Sequence, residues 1–237
     1  QFVGLSNYKF VFRDFKGFLQ ALVFTSKVSI VAVILVNVIA FALALILSKQ
    51  FRGTNLFRTL FFMPNLIGGI ILGYIWQLLL NGILIRLYGV DITYDARFGY
   101  WGIIILYSWQ KIGYLMIIYI AGIQAISGDI LEASAIDGAS SWQQLWRIII
   151  PNVGGSITVC LFLSLTDTFK MYDQNLALTG GAPANQTKML AMDIYDTYYN
   201  RVGFAGIGQA KAVVFTVLVF ALGMLQLFIT RKFEVKL

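Results

Sequence analysis

Histidine is absent from the 237 residues, and cysteine occurs once, as Cys160 inside an apolar run. A disulfide within the chain is therefore excluded, and a zinc or haem centre has no ligand set to draw on. No nucleophile–histidine pair can be assembled for covalent catalysis. Charge is scarce as well: 12% of the residues are Asp, Glu, Lys or Arg, against about 25% in an ordinary soluble domain. A Gly-x-x-x-x-Gly-Lys-Ser/Thr run is missing, so the chain does not hydrolyse ATP through a phosphate loop. Internal repeats and low-complexity tracts are not evident, and the first residues form neither a signal peptide nor a hydrophobic anchor.

What remains is apolar. Hydrophobic residues make up 59% of the chain, and mean hydropathy is +0.77. A chain of this length cannot hide that surplus in a larger core, so the composition points to an all-α membrane protein. The net charge of +7 does not mark a nucleic-acid binder. Its basic residues punctuate apolar runs, as loop charges of membrane proteins do.

A hydrocarbon layer about 30 Å thick takes roughly 20 apolar residues of helix. Five runs satisfy this: Val28–Ser48, Thr59–Ile85, Tyr100 to about Ile126, Ile148 to about Phe169, and Ala212–Thr230. Pro64, Gly68, Gly69 and Gly73 are expected to bend or loosen the start of the second. The segment Lys49–Arg58 carries three basic residues in ten, and the tail carries Arg231, Lys232 and Lys236. The positive-inside rule places both in the cytoplasm. Residues 127–151 then lie inside as well, while the N-terminal arm and residues 171–211 lie outside. Lys9, Arg13 and Lys16 on the outer arm pull against this assignment. The Thr179-Gly180-Gly181-Ala182-Pro183 stretch must turn sharply.

Between spans three and four, Gly128–Ser141 and Trp142–Pro151 read as two short helices. Asp129 with Glu132 offers a capping box for the first, and Gly138 sits where a left-handed C-terminal cap is needed. Ser141 with Gln144 repeats the box for the second, and Pro151 starts the next span. Trp142, Leu145, Trp146 and Ile149 share a face at helical spacing, which by itself fits a helix lying on the inner leaflet.

The residues of this loop narrow the reading. Glu132-Ala133-Ser134, three residues, Gly138, nine residues, then Ile148-x-Ile150-Pro151 closely resembles the Glu-Ala-Ala loop of ABC importer permeases. Ser134 stands for the second alanine of that pattern and Ile150 for its leucine. Phe2–Tyr8 resembles the segment that follows the first span in carbohydrate-type permeases of the maltose-transporter group. Phe169–Asp173 followed by Leu178–Pro183 is similar to that group's outer loop, with Ala182 in place of its third glycine. The resemblance covers essentially the whole chain, 1–237, as one transmembrane permease domain.

The resemblance implies a polytopic helical bundle of the ABC importer permease type, with five spans here and a sixth ahead of Gln1. It implies a multi-pass subunit of the bacterial cytoplasmic (inner) membrane that imports sugars, oligosaccharides above all, by alternating access. Its partners would be membrane lipid, cytoplasmic ATPase subunits that use ATP and Mg, a second related permease and an extracellular solute-binding protein. No cofactor or metal would be held by this chain. Coupling to the ATPase would run through Glu132, Ala133, Ser134, Asp137, Gly138, Ala139 and Trp142.

Ionisable groups inside spans are costly and usually face a bundle interior or a watery cavity. Lys111, Asp167 and Lys170 are therefore candidates for the solute path, with Trp109, Gly113, Tyr114, Thr166 and Phe169 beside them. Structural readings stand next to these: Trp109 and Phe169 as packing or interface-belt aromatics, and Lys111 with Asp167 as an ion pair between spans. Lys27 and Lys211, near span ends, are expected to snorkel to the interface. Glycerol phosphate is the rival solute, with Lys111 and Lys170 as anion contacts. A secondary transporter or a purely structural membrane scaffold is the reading from another class.

Overall fold

The computed structural model describes residues 3–13, 15–49 and 51–233. Phe2 and Lys236, used above, lie outside them. The described residues are mostly helical, without a strand. Four helices are long and apolar enough to cross a membrane: Lys16–Leu47, Gly69–Tyr88, Ala96–Gln124 and Ala205–Thr230. A fifth crossing is made if Ser141–Asn152 and Gly154–Phe169, bent by 69° at Val153, count as one span.

In chain order the helices are α1 (Ser6–Arg13), α2 (Phe15–Leu47), α3 (Thr54–Phe62), α4 (Gly69–Tyr88), α5 (Ala96–Gln124) and α6 (Gly128–Ile136). They continue as α7 (Ser141–Gln144), α8 (Ile150–Asn152), α9 (Gly154–Phe169), α10 (Asp173–Leu178), α11 (Leu190–Tyr199) and α12 (Ala205–Thr230). The chain forms two compact units. The first takes residues up to Ala32, Ile67–Ser108 and Leu165–Leu222; the second takes Val33–Leu66, Trp109–Ser164 and Gly223 onward.

The second expected span is not one helix. Pro64 and Gly68 divide it into α3, a 3-10 turn over Met63–Leu66, and α4. Proline lacks the N–H that would continue the ladder and clashes with the carbonyl four residues back. Gly69 and Gly73, by contrast, sit inside α4 and loosen nothing. A Cβ on Gly69 would lie 2.7 Å from Asp173 Cβ, and one on Gly73 would lie 2.5 Å from Ala177 Cβ. Two glycines one turn apart thus form a flat strip on which α10 rests, the small-residue contact used where helices must touch without side chains between them.

In the first unit, Phe18, Ala21 and Leu190 form a buried cluster backed by Leu22, Ile194, Val214 and Phe215. Met189 gives α11 no side-chain cap. The need is met from a distance: Leu190 N donates to Thr25 Oγ1 at 2.9 Å. The loop that follows α10 turns on Gly180 and Gly181, with φ of +56° and +85°. Asn175 anchors it, its amide donating to Thr179 Oγ1 and Thr187 O while its Oδ1 accepts from Met189 N.

In the second unit, Asn37 is the hub of a buried polar cluster. It donates to Ser164 Oγ at 2.9 Å and accepts from the Tyr119 hydroxyl at 2.8 Å, so three buried polar side chains satisfy one another across α2, α5 and α9. Elsewhere α4 and α12 keep large apolar side chains exposed, among them Leu78, Phe220 and Phe228. Such surface is stable against lipid or another apolar subunit and unstable against water.

Candidate functional site: the loop from α6 to α8 and the polar groups of the spans

Helix α6 starts at Ser127, whose backbone carbonyl accepts from Ile130 N at 3.2 Å, but no side chain caps it. Asp129 therefore does not make the expected box; its carboxylate accepts from Ser127 Oγ at 3.4 Å. The other end is as expected. Gly138 has φ +80°, Gly138 N donates to Ala135 O and Ala139 N donates to Ser134 O, the paired bonds of a Schellman ending.

The second helix is capped one residue earlier than the sequence reading. Ser140 N donates to Gln143 Oε1 at 2.8 Å, and Gln143 N returns a bond to Ser140 Oγ at 3.3 Å. Gln144 is engaged elsewhere: its amide donates to Ser134 Oγ at 3.0 Å, while Ser134 Oγ donates to Leu131 O at 2.8 Å. This chain of bonds ties the second helix to the first. Alanine at position 134 could not supply it.

Pro151 does not open a new span. The helix runs on through a π turn at Leu145–Ile149 into α8, and α9 begins only after Val153. A wider turn ahead of Pro151 relieves the clash between its ring and the carbonyl four residues back. Beyond the bend, Gly122 of α5 admits Ser156 of α9, whose Oγ occupies the place of a Cβ.

What the loop presents is apolar and acidic. Ile136 is 86% exposed and Trp142 67%; Ile130 and Trp146 are exposed as well. The two indoles meet edge to face at 5.5 Å. Glu132, Asp137 and Ala133 are exposed beside them, Ala139 is half-buried, and Leu145 and Ile149 of the expected stripe are partly covered. A surface with two edge-to-face tryptophans and an isoleucine at water exposure fits a partner that buries them.

The candidate path residues fall in separate units. In the second, Lys111 Nζ donates to Asn65 Oδ1 at 3.3 Å and stands 5.8 Å from the Tyr114 ring centroid. Trp109 is exposed and Tyr114 half-buried. Gly113 is occupied by packing: the main chain of Phe61 and Phe62 lies where its Cβ would be. In the first unit, Thr166 and Phe169 are buried, Asp167 is half-buried and Lys170 exposed.

Lys211 does not snorkel. It is 6% exposed, and its Nζ donates to Asp193 Oδ2 at 2.7 Å and to Thr197 Oγ1 at 2.9 Å. The sequence reading missed this pair, and it gave Gln144 a capping role in place of its bond to Ser134. Asp193 lies 18 residues before Lys211, on a different helix, so no local spacing signals the contact. Among the described residues no three acidic or thiol groups converge as a metal would require.

Residues 36–235 match the family described as binding-protein-dependent transport system inner membrane component. The chain is 39% identical over its whole length to the probable starch degradation products transport system permease protein AmyD of Thermoanaerobacterium thermosulfurigenes, covering 82% of that protein. It is 29% identical to the multiple sugar-binding transport system permease protein MsmF of Streptococcus mutans, over 99% of this chain and 83% of that one. It is 28% identical to the sn-glycerol-3-phosphate transport system permease protein UgpA of Agrobacterium fabrum, over 95% and 79%. The fold matches a chain of a bacterial ABC transporter involved in the import of the acidic polysaccharide alginate, with a TM-score of 0.84 at 19% identity, over 98% of this chain and 84% of that one. The helical fold, the loop pattern and a family match over most of the chain agree: this protein belongs to the inner membrane components of binding-protein-dependent transport systems, and is a transport subunit rather than an enzyme.

Proposed function

We propose that this chain is the permease of an ATP-driven importer for neutral oligosaccharides in a bacterial inner membrane, coupled to its ATPase through residues 127–151. The observation that carries the coupling is the loop itself. Two short helices are locked together by Gln144 and Ser134 and hold Ile136, Trp142 and Trp146 out with Glu132 and Asp137. A cytoplasmic ATPase subunit with an apolar cleft rimmed by basic groups is the partner this surface fits. ATP and Mg are used on that subunit. A second permease and a solute-binding protein complete the complex. Trp109, Lys111, Tyr114, Thr166, Asp167, Phe169 and Lys170 contribute to the solute path, and Gly113 holds the helix that bears the first three of them.

The sugar assignment is supported by the 39% identity to a permease for starch degradation products. Glycerol phosphate is the second reading, favoured by the likeness to UgpA and by Lys111 and Lys170. The deciding measurement is ATP hydrolysis by the assembled complex in lipid with its binding protein, across maltooligosaccharides and glycerol phosphates. Stimulation by a maltooligosaccharide is expected. Stimulation by sn-glycerol 3-phosphate alone, lost when Lys111 and Lys170 become Gln, would move the assignment to the second reading.

Gly138→Val tests the coupling. No atom lies within 4 Å of the added Cβ, so its cost is the left-handed backbone alone, about 1–2 kcal/mol. That suffices to unwind the Schellman ending while leaving the spans intact. Normal abundance with loss of substrate-stimulated hydrolysis is expected, and Gly138→Asn, which tolerates the conformation, should restore much of it. Full stimulation in the valine variant would refute the role of the loop.

A further inference from the structure

The first unit contains a cavity of about 380 Å³, a volume within the range of small-molecule sites. None of the candidate path residues lines it. Its wall is built from Tyr172 at the start of α10 and from Tyr195, Tyr198 and Tyr199 of α11, with Gly208 and Gln209 of α12 opposite. No charged side chain lines it among the described residues.

The rings form a continuous series. Tyr172 and Tyr195 stand 4.8 Å apart, Tyr195 and Tyr199 4.7 Å, and Tyr198 and Tyr199 4.6 Å between centroids. Spacing of three and four residues puts three of them on one side of α11. A core explanation does not account for them, because Tyr195, Tyr198 and Tyr199 remain 40%, 38% and 67% exposed. Gly208 sets the depth: any Cβ there would lie 2.7 Å from Tyr198 Cα, so α11 and α12 approach closely only because the side chain is missing. Partial burial, then Tyr195 and the carboxylates of Asp196 and Asp173, push the Tyr172 hydroxyl up to about 12. It therefore remains a donor across the physiological range. Lys170 and Arg201, two residues from Tyr172 and Tyr199 in sequence, do not line the cavity, and Lys188 is held by Asp196 at 2.6 Å.

An uncharged concavity with a row of tilted aromatic rings, phenolic hydroxyls and one amide suits a neutral ring with C–H faces and hydroxyl edges. An anionic solute would find no counter-charge on its wall. A lipid chain would leave the hydroxyls and the amide unmatched.

We propose that this tyrosine-walled cavity is a saccharide-binding site on the outer side of the permease, distinct from the path within the spans. It takes one pyranose of an incoming oligosaccharide against Tyr195 and Tyr199, with Tyr172 and Gln209 as hydrogen-bonding partners. The inference rests on the oligosaccharide reading above and adds a place where the sugar is held before the spans open to it.

The test uses the full complex in lipid nanodiscs, with maltotetraose as probe and sn-glycerol 3-phosphate as control. Tyr199→Leu keeps bulk and apolarity but removes the aromatic face at a 67% exposed position, so folding is unaffected. Tyr195→Leu is the second variant. Without ATP or binding protein, magnetisation transfer from the complex to maltotetraose C–H protons should fall by about threefold to tenfold in each, the range of an aromatic contact. Uptake should show a raised KM with an unchanged maximal rate. Wild-type transfer and KM in both variants would overturn the cavity proposal while leaving the importer reading intact. Transport of sn-glycerol 3-phosphate but not maltotetraose by the wild-type complex would overturn both.

Discussion

Gly113→Ala is expected to destroy the native fold of the second unit. The added methyl would fall on the Phe61 carbonyl group and 2.7 Å from Phe62 N, main-chain atoms of α3 that cannot rotate away. Helices α5 and α3 would have to separate. Overpacking usually costs about 1–3 kcal/mol, and a clash with backbone belongs at or above the upper end. Gly122→Ala is the matched control, because there the obstacle is the Ser156 hydroxyl, a side chain that can turn. Cys160 provides the readout. As the sole cysteine, fully buried, it reacts with a thiol-directed dye only on unfolding. The dye should label Gly113→Ala at a much lower temperature than wild type, and Gly122→Ala close to it. Equal labelling of Gly113→Ala and wild type would show that α5 is free to shift.

Lys211→Met should be nearly as damaging, for a different reason. Both side chains of the Lys211–Asp193 pair are 8% exposed, so removing the ammonium strands a buried carboxylate. Breaking one partner of such a pair costs about 3–5 kcal/mol, whereas replacing both with apolar residues is often neutral. Lys211→Met and Asp193→Leu should each lower the temperature of Cys160 labelling, and the double variant should recover most of the loss. If the double variant is as unstable as the sum of the singles, the two groups do not act as a pair.

Much of this was legible in the residues, and where it was not the reason is physical. Long uncharged runs fixed the spanning helices, because only a helix satisfies its own backbone in hydrocarbon. Their ends were less visible. Helix α2 begins at Phe15, so Lys27, which bounded the expected first span, and Lys16, expected on the outer arm, both lie within it. At 33 residues it is roughly 50 Å long, more than a bilayer core needs. The capping register slipped by one because Ser140–Gln143 and Ser141–Gln144 are both valid boxes. Tertiary structure selects the first by drawing Gln144 to Ser134. Of the groups expected near the solute, hydropathy could find Lys111 and Asp167 but could not show that Gly113 is filled by backbone. The tyrosines of α11 escaped notice for the opposite reason: each is ordinary alone, and only the close approach at Gly208 makes them a wall.

The bend at Val153 has a mechanical meaning. A load arriving along α7 and α8 meets α9 at 69°, nearer to a right angle than to a straight line. Under the proposed coupling, most of any such thrust would be delivered across α9 and little along it, so the helix would be swung like a crank instead of driven like a piston. Val153, 1% exposed, would be the bearing on which that swing turns.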